Sequence, residues 1–212
     1  GSFCGKCGGV VNRFGLSKKP ANTFNAPPPA RTAPSRVDPK LLEGLNSQQA
    51  DALHKALSGQ SFFLTGGAGT GKSFTLNRIV EGLKSQHGEQ AVYVTASTGI
   101  AACHIGGTTL HSFSGTGLAN GTVEEMAIRV KANRSSYRRW QCCRVLVIDE
   151  VSMLDGAFFD KLEALACRLL DSDAAGREAP PSWLPAQHVQ HSRPFGGIQL
   201  VLCGDFYQLP PV

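Results

Sequence analysis

No apolar run in the sequence approaches the roughly 20 residues that a membrane-spanning helix needs, so a membrane-spanning helix within these 212 residues is excluded. The seven cysteines are an odd number without the regular spacing of a disulfide framework. That pattern excludes a small secreted disulfide-rich fold and favours a reducing or organellar interior. The remaining composition is ordinary for a globular protein, with 42% hydrophobic residues, and 212 residues allow one sizeable core domain and a tail.

Most of the chain carries no formal net charge. Residues 46–212 hold 14 basic and 14 acidic residues, so the formal charge of +5 belongs to the first 45 residues, which carry seven Lys and Arg against two acids. Residues 1–44 are also rich in Gly, Pro and Ala and contain Pro27–Pro29, and they bury too little apolar surface to fold alone. We predict a disordered basic tail there, which either contacts nucleic acid non-specifically or is a solvated linker.

The tail contains one C-x-x-C pair, formed by Cys4 and Cys7. A zinc site needs a second pair of ligands, and no nearby Cys or His supplies it, so we favour the interpretation that the pair holds no metal. The alternative requires further ligands from upstream sequence. Because the chain starts with Gly1 rather than Met, we expect a processed, cloned or incomplete N-terminus in which no targeting signal can be recognised.

A phosphate-binding loop is the most informative motif of the chain. Residues 66–73 match the pattern G-x-x-x-x-G-K-[ST], between an apolar stretch at 61–65 that predicts a buried strand and a stretch at 74–80 with helical spacing. Glycines let backbone N–H groups turn towards a phosphate chain, Lys72 reaches the β- and γ-phosphates, and the Ser73 hydroxyl ligates Mg²⁺. The predicted nucleotide-binding residues of the loop are Gly66, Gly67, Ala68, Gly69, Thr70, Gly71, Lys72 and Ser73.

Apolar strands alternate with helices after residue 45, which predicts an α/β fold with a parallel sheet flanked by helices. Asn46 or Ser47 is expected to cap the first helix, which ends before Gly59. The predicted strands lie at 61–65, 91–95, 145–148 and 198–203, and the later helices at 74–87, from about 123, and at 156–170. Residues 97–113 are predicted to form short helices and loops, and residues 171–194 a surface insertion of low order.

An acidic pair follows the best predicted strand. Asp149 closes the apolar run 145–148, where a parallel sheet places its ligands, and is predicted to hold Mg²⁺. Glu150 directly after it is placed to activate a water for attack on the γ-phosphate, which suits a hydrolase better than a small-molecule kinase. A charged turn is the alternative interpretation, and the preceding aliphatic run argues against it.

Two glutamines and a basic stretch complete the candidate site residues. Gln208, just beyond the last strand, is placed to sense the γ-phosphate, and Gln49, before the first strand, to contact an adenine edge. No acidic residue lies between Glu125 and Asp149, whereas Arg and Lys occur there repeatedly. A solvated helix face and a phosphate-contacting patch are equally compatible with this stretch, whose basic residues are Arg129, Lys131, Arg134, Arg138, Arg139 and Arg144.

Taken together, the motifs of residues 45–212 resemble those of the petite-integration-frequency family of superfamily-one DNA helicases. The DKLEALA segment resembles that family's own signature rather than a general feature of phosphate-loop proteins. The matching segments are LNSQQ (45–49), GGAGTGKS (66–73), TASTGIAACHIGGTTLHSF (95–113), VIDEVSM (147–153), DGAFFDKLEALA (155–166) and GDFYQLPP (204–211).

The resemblance implies a RecA-like first motor domain at 45–212 that uses ATP and Mg²⁺. It implies the catalytic residues Lys72, Asp149, Glu150 and Gln208, the metal ligands Ser73 and Asp149, and adenine contact by Gln49. It also implies a single-stranded DNA contact through Thr98, Gly99, Thr109, His111 and Phe113. Small and hydroxyl side chains suit a phosphate backbone, and Phe113 or His111 suits base stacking, although core packing is the stronger expectation for Phe113.

The function implied is a 5′-to-3′ DNA helicase of replication, repair, recombination and telomere or mitochondrial genome maintenance, located in the mitochondrion, the nucleus or both. Its implied substrates are single-stranded and forked DNA, G-quadruplexes and RNA–DNA hybrids, without a membrane partner. A second motor domain with an arginine finger is not among the 212 residues, so we expect this chain alone to bind nucleotide weakly and hydrolyse it poorly. A phosphate-loop small-molecule kinase and a nucleotide-gated DNA-binding module are the competing hypotheses.

Overall fold

The computed structural model describes residues 37–117, 119–170 and 193–208. The predictions for residues 1–36, for the Cys4 and Cys7 pair and for nearly all of the 171–194 insertion therefore lie outside the described residues. Within the described residues, no helix combines the length and the apolarity that crossing a bilayer demands.

Five parallel strands form the sheet in the order β1-β5-β4-β2-β3. The predicted parallel α/β architecture is confirmed. Their bounds are β1 Phe62–Leu64, β2 Val92–Ala96, β3 Thr108–Thr109, β4 Val145–Asp149 and β5 Gln199–Cys203. The helices are α1 Pro39–Leu42, α2 Ser47–Leu57, α3 Lys72–His87, α4 Gly99–His104, α5 Leu110–Ser114, α6 Val123–Ala132, α7 Arg134–Cys142 and α8 Gly156–Leu170, with 3₁₀ turns at Val151–Met153 and Pro194–Gly197.

Helices cover both faces of the sheet and create two apolar clusters. On one face, α1 to α3 pack on the side chains of Val145, Val147 and Val201. On the other face, α5 to α8 pack on Leu146 and Ile148. Strand β4 is buried along its whole length because it contributes to both clusters, which explains why its sequence is a continuous aliphatic run rather than an alternating one.

Local signals set the bounds of several helices. The side chain of Asn46 accepts a hydrogen bond from the Gln49 amide at 2.9 Å and caps α2. Helix α3 begins after Gly71 and ends at Gly88, both with positive φ, so the prediction for its end is confirmed. Helix α8 has the bounds that the sequence predicts.

The structure differs from the sequence-based expectation at three elements. Residues 39–42, assigned above to the tail, form α1, because Asp38 caps the Lys40 amide and Leu41 packs into the α2–α3 cluster. Strand β1 was expected to be buried, yet it is an edge strand of the described sheet and Phe63 is 39% exposed. The two-residue strand β3 was not predicted, and it pairs with the end of β2.

Gly107 illustrates how tightly the segment before β3 packs against β2. A Cβ atom at this position would collide with the backbone carbonyl oxygen of Val94. We expect Gly107→Ala to lower the free energy of unfolding by about 2 kcal/mol, because backbone cannot move aside as a flexible side chain does. Urea unfolding measures the effect. Gly156→Ala is the matched control, since a Cβ there meets open space, and equal stability of the two variants would contradict the expectation.

Candidate nucleotide and nucleic-acid site

The phosphate loop joins β1 to α3 in the predicted order of strand, loop and helix. Gly69 and Gly71 have φ values of 76° and 83°, a left-handed backbone that side-chain-bearing residues rarely adopt. These turns bring the chain into the first turn of α3, whose amides point their partial positive charge towards the loop. The geometry is that of an anion-binding loop.

Lys72 lies against this loop. Its ammonium donates hydrogen bonds to the carbonyl oxygens of Gly66 at 2.5 Å and Gly67 at 2.9 Å. The Thr70 hydroxyl donates to the same Gly67 carbonyl at 2.8 Å. A phosphate in the loop would offer Lys72 an anionic acceptor in place of two neutral ones, which adds ion-pair attraction to the hydrogen bond.

Gln49 connects the start of α2 with the phosphate loop. Its side-chain oxygen accepts from the Asn46 amide at 3.0 Å, and its side-chain nitrogen donates to the Thr70 carbonyl at 3.2 Å. Both ends of the amide therefore contact protein. The adenine contact stays a prediction, and the structure adds a role that the sequence did not indicate, which is to hold the loop.

We expect Gln49→Ala to weaken ATP binding about five- to tenfold, because it removes one hydrogen bond to the loop and half of a capping box. Titration with a fluorescent ATP analogue measures the affinity. Gln48→Ala is the matched control, because Gln48 is an exposed neighbour on the same helix turn. Equal affinities of the two variants would refute the role of Gln49.

The acidic pair, Asp149 and Glu150, lies at the end of β4. Strand β5 separates β4 from β1, the strand that leads into the phosphate loop. Asp149 is only 9% exposed and accepts a hydrogen bond from the Glu150 amide at 2.9 Å. Burial raises the pKa of the neighbouring Cys203 thiol, and the charge of Asp149 and a hydrogen bond to it raise that pKa further, while Lys72 lowers it. The thiol thus stays protonated. Cys203 ends β5 and pairs with Leu64 at the end of β1, and β4 lies on the other side of β5, so the phosphate loop and the acidic pair follow strands on either side of Cys203.

Glu150 has an unusual backbone that Ser97 helps to hold. Its φ and ψ of 51° and 43° are left-handed, which is uncommon for a residue with a side chain. The Ser97 hydroxyl donates to the Glu150 carbonyl at 2.9 Å, and the Ser97 amide donates to the Asp149 carbonyl at 3.3 Å. Ser97 is not among the predicted site residues, because only the pairing of β2 with β4 brings it to the acidic pair.

Gln208 lies on the turn that follows β5. Its side-chain nitrogen donates to the Asp205 carboxylate at 2.9 Å, and the same carboxylate accepts from the Tyr207 amide at 3.0 Å. The side chain is exposed. Its role as a γ-phosphate sensor stays a prediction.

A cavity of about 370 Å³ is lined in part by Ser97, the residue that donates to the Glu150 carbonyl. Thr98 and His111 line it, as does Phe158, whose ring stacks on the His111 imidazole at 4.3 Å with an interplanar angle of 13°. Thr98 and Thr109 cap the helices α4 and α5 through their hydroxyls. Other lining residues are Asn120, Asp155 and Lys161.

Two of the five predicted DNA-contacting residues thus share the cavity, while Gly99 begins α4 and Thr109 caps α5. Phe113 does not face the cavity. Its ring is fully buried between those of Tyr93 and Trp140, each with its centroid 5.0 Å away. The expectation of core packing is correct for Phe113, and base stacking by its ring is excluded in this arrangement.

Side chains of the basic stretch donate hydrogen bonds to the backbone at the end of α5, close to the predicted DNA-contacting residues His111 and Phe113. Arg139 donates to the backbone carbonyls of Phe113 at 3.0 Å and Ser112 at 2.8 Å. Arg129 donates to the Thr116 carbonyl at 2.6 Å, and the Trp140 indole to that of Ser114 at 3.0 Å. These donors satisfy carbonyls around the end of α5. For Arg139, both predicted alternatives, a solvated helix face and a phosphate-contacting patch, are wrong. Its side chain instead supports the backbone at the end of α5.

The parallel sheet, the glycine loop before α3 and the acidic pair at the end of β4 define a RecA-like phosphate-loop nucleotide-binding domain. Residues 44–212 match the family description of a PIF1-like helicase. The chain is 48% identical over 183 residues to the ATP-dependent DNA helicase PIF1 of Candida albicans, which covers 86% of this chain and 18% of that protein. The chain belongs to the PIF1-like helicase family.

Solved structures agree with this assignment. The crystal structure of Pif1 helicase from Candida albicans has a TM-score of 0.67 and 48% identity over 79% of this chain and 34% of that one. Pif1 helicase from Bacteroides in complex with ADP-AlF₃ and single-stranded DNA has a TM-score of 0.60 and 28% identity, again over 79% and 34%. The chain thus spans about a third or less of the relatives that it matches.

Proposed function

We propose that the protein to which this chain belongs is an ATP- and Mg²⁺-dependent 5′-to-3′ DNA helicase, with residues 45–212 as its first motor domain. The observation that carries the proposal is the placement of the phosphate loop after β1 and of the acidic pair at the end of β4, on the two strands that flank β5, with a cavity lined by Thr98 and His111 nearby. The family supports it, since the Candida relative is named an ATP-dependent DNA helicase.

In the proposed reaction, the loop amides and Lys72 bind the phosphates of ATP. The Ser73 hydroxyl and the Asp149 carboxylate are hard oxygen donors of the kind that fits Mg²⁺, and they are the residues that would hold it. When bound, Mg²⁺ would supply positive charge against the charge that develops on the transferred phosphoryl group. Glu150 accepts a proton from the attacking water, and its backbone is held by hydrogen bonds to the Asp149 carboxylate and from the Ser97 hydroxyl.

The proposed nucleic-acid partner is single-stranded and forked DNA, with G-quadruplexes and RNA–DNA hybrids as further substrates. The cavity suits a single strand because Thr98 offers a hydroxyl to phosphate and His111 offers a ring to bases. Roles in DNA repair, recombination, telomere or mitochondrial genome maintenance, and a mitochondrial or nuclear location, complete the proposal on the strength of the family resemblance.

The test measures ATP hydrolysis and strand displacement by the full-length protein. We expect single-stranded DNA to stimulate hydrolysis, and duplexes with a 5′ tail to be unwound in preference to duplexes with a 3′ tail. ATP hydrolysis without DNA stimulation, or phosphate transfer to a small-molecule acceptor, would refute the proposal. ATP-switched DNA binding without turnover would favour a binding module instead.

A further inference from the structure

We infer that Ser97 is a positioning residue that couples a DNA strand at Thr98 to the proposed catalytic base Glu150. The inference rests on the proposed function, because it concerns how DNA stimulates hydrolysis. Its physical basis is a hydrogen bond of 2.9 Å from the Ser97 hydroxyl to the Glu150 carbonyl.

Ser97 occupies a junction between the two halves of the site. Strands β2 and β4 run in parallel, and their last paired residues are Ala96 and Asp149. Ser97 and Glu150 are therefore the first residues after the paired segments of β2 and β4. The two residues follow neighbouring strands and lie at the same end of the sheet, where its strands finish. On its other side, Ser97 is followed at once by Thr98, and both line the 370 Å³ cavity.

The backbone at Glu150 is held from both sides. Its amide donates to the Asp149 carboxylate at 2.9 Å, and its carbonyl accepts from Ser97. A left-handed conformation at a residue with a side chain is strained and persists only where its surroundings enforce it. Since the backbone conformation of Glu150 sets the direction of its carboxylate, the Ser97 hydroxyl contributes to aiming the base.

The same hydroxyl belongs to a segment that DNA is proposed to contact. Thr98 directly follows Ser97 in the chain, so a strand bound at Thr98 acts on the peptide bond that joins the two residues. A displacement of that peptide reaches Glu150 through one hydrogen bond. The hydrogen bond is a direct physical contact between the two sites, and it is the contact that the experiment below tests for coupling.

The experiment uses the full-length protein and compares Ser97→Ala with Ser97→Thr. We expect Ser97→Ala to lower kcat at saturating single-stranded DNA about tenfold, a part of what a well-positioned base contributes, while KM for ATP and the affinity for DNA change less than about twofold. Ser97→Thr keeps a hydroxyl donor and is expected to retain most of the DNA-stimulated turnover. Ser85→Ala, which removes an exposed hydroxyl from α3, is the matched control.

Several outcomes separate this inference from the proposed function. If the wild-type protein is not stimulated by DNA, the proposed function fails first. If stimulation is present and Ser97→Ala keeps the wild-type kcat, or loses only DNA affinity, Ser97 is not a positioning residue. If Ser97→Ala unfolds at a lower temperature than wild type, the kcat of Ser97→Cys is measured instead. A thiol is similar in size to the hydroxyl but a weaker hydrogen-bond donor, so we expect this variant to have a kcat between those of wild type and Ser97→Ala. A wild-type kcat for Ser97→Cys would then overturn the inference.

Discussion

Glu150→Gln in the full-length protein is expected to lower DNA-stimulated kcat by about 100-fold or more, with ATP affinity within about threefold of wild type. The amide is nearly the same size as the carboxylate, so the backbone contacts to Asp149 and Ser97 can remain. What it loses is the ability to take a proton from water. The effect therefore falls on the chemical step rather than on binding.

Steady-state ATP hydrolysis at saturating DNA measures this expectation, together with an independent titration of ATP binding. Glu89→Gln is the matched control, because it makes the same chemical change at an exposed carboxylate that pairs with Lys84 at 2.9 Å. Its turnover is expected to equal that of wild type. A Glu150→Gln protein with wild-type kcat would show that Glu150 is not the catalytic base.

Features that depend on local backbone were predictable from the sequence. The end of α3 and both bounds of α8 follow from short-range signals, such as Gly88 after α3, whereas α3 begins at Lys72, two residues before the predicted start at residue 74. The aliphatic run that ends in Asp149 predicts a buried strand with a carboxylate at its end, and both are confirmed. In each case the residues that determine the structure are neighbours in the chain, so the pattern and its cause can be seen together.

Features that depend on distant pairing were not predictable in the same way. The sequence Phe-Phe-Leu of β1 is compatible with a central strand and with an edge strand. Only the order of the strands in the sheet determines that β1 lies at an edge. Ser97 is separated from Glu150 by 53 residues, and no spacing rule connects them before β2 pairs with β4. Arg139 contacts the Phe113 carbonyl 26 residues earlier, which its basic sequence surroundings do not indicate.

Phe113 shows why a family motif does not by itself assign a contact to each residue. His111 and Phe113 are two residues apart, and the short helix α5 directs them differently. His111 is exposed and stacks on Phe158 in the cavity wall, whereas Phe113 fills the space between Tyr93 and Trp140. The motif therefore contains both a cavity-lining residue and the core residue that supports it.

Lys72→Ala is expected to weaken ATP binding by about 10- to 100-fold and to abolish measurable DNA-stimulated turnover in the full-length protein. The ammonium is held within the loop by the carbonyls of Gly66 and Gly67, so the loop loses its one side-chain cation along with two hydrogen bonds. Loss of positive charge affects bound ATP, and it affects the transition state more, because charge develops there.

A second variant tests whether charge alone is sufficient. Lys72→Arg keeps the positive charge but replaces a compact ammonium, which donates to the Gly66 and Gly67 carbonyls, by a planar guanidinium whose donors form a rigid fork. We expect it to regain part of the ATP affinity and little of the turnover. Lys55→Ala, an exposed lysine near the end of α2, is the control for a simple change in net charge. Wild-type turnover in Lys72→Ala would mean that this loop does not bind the reacting phosphates, and neither Glu150 nor Ser97 would then act on ATP from where they lie.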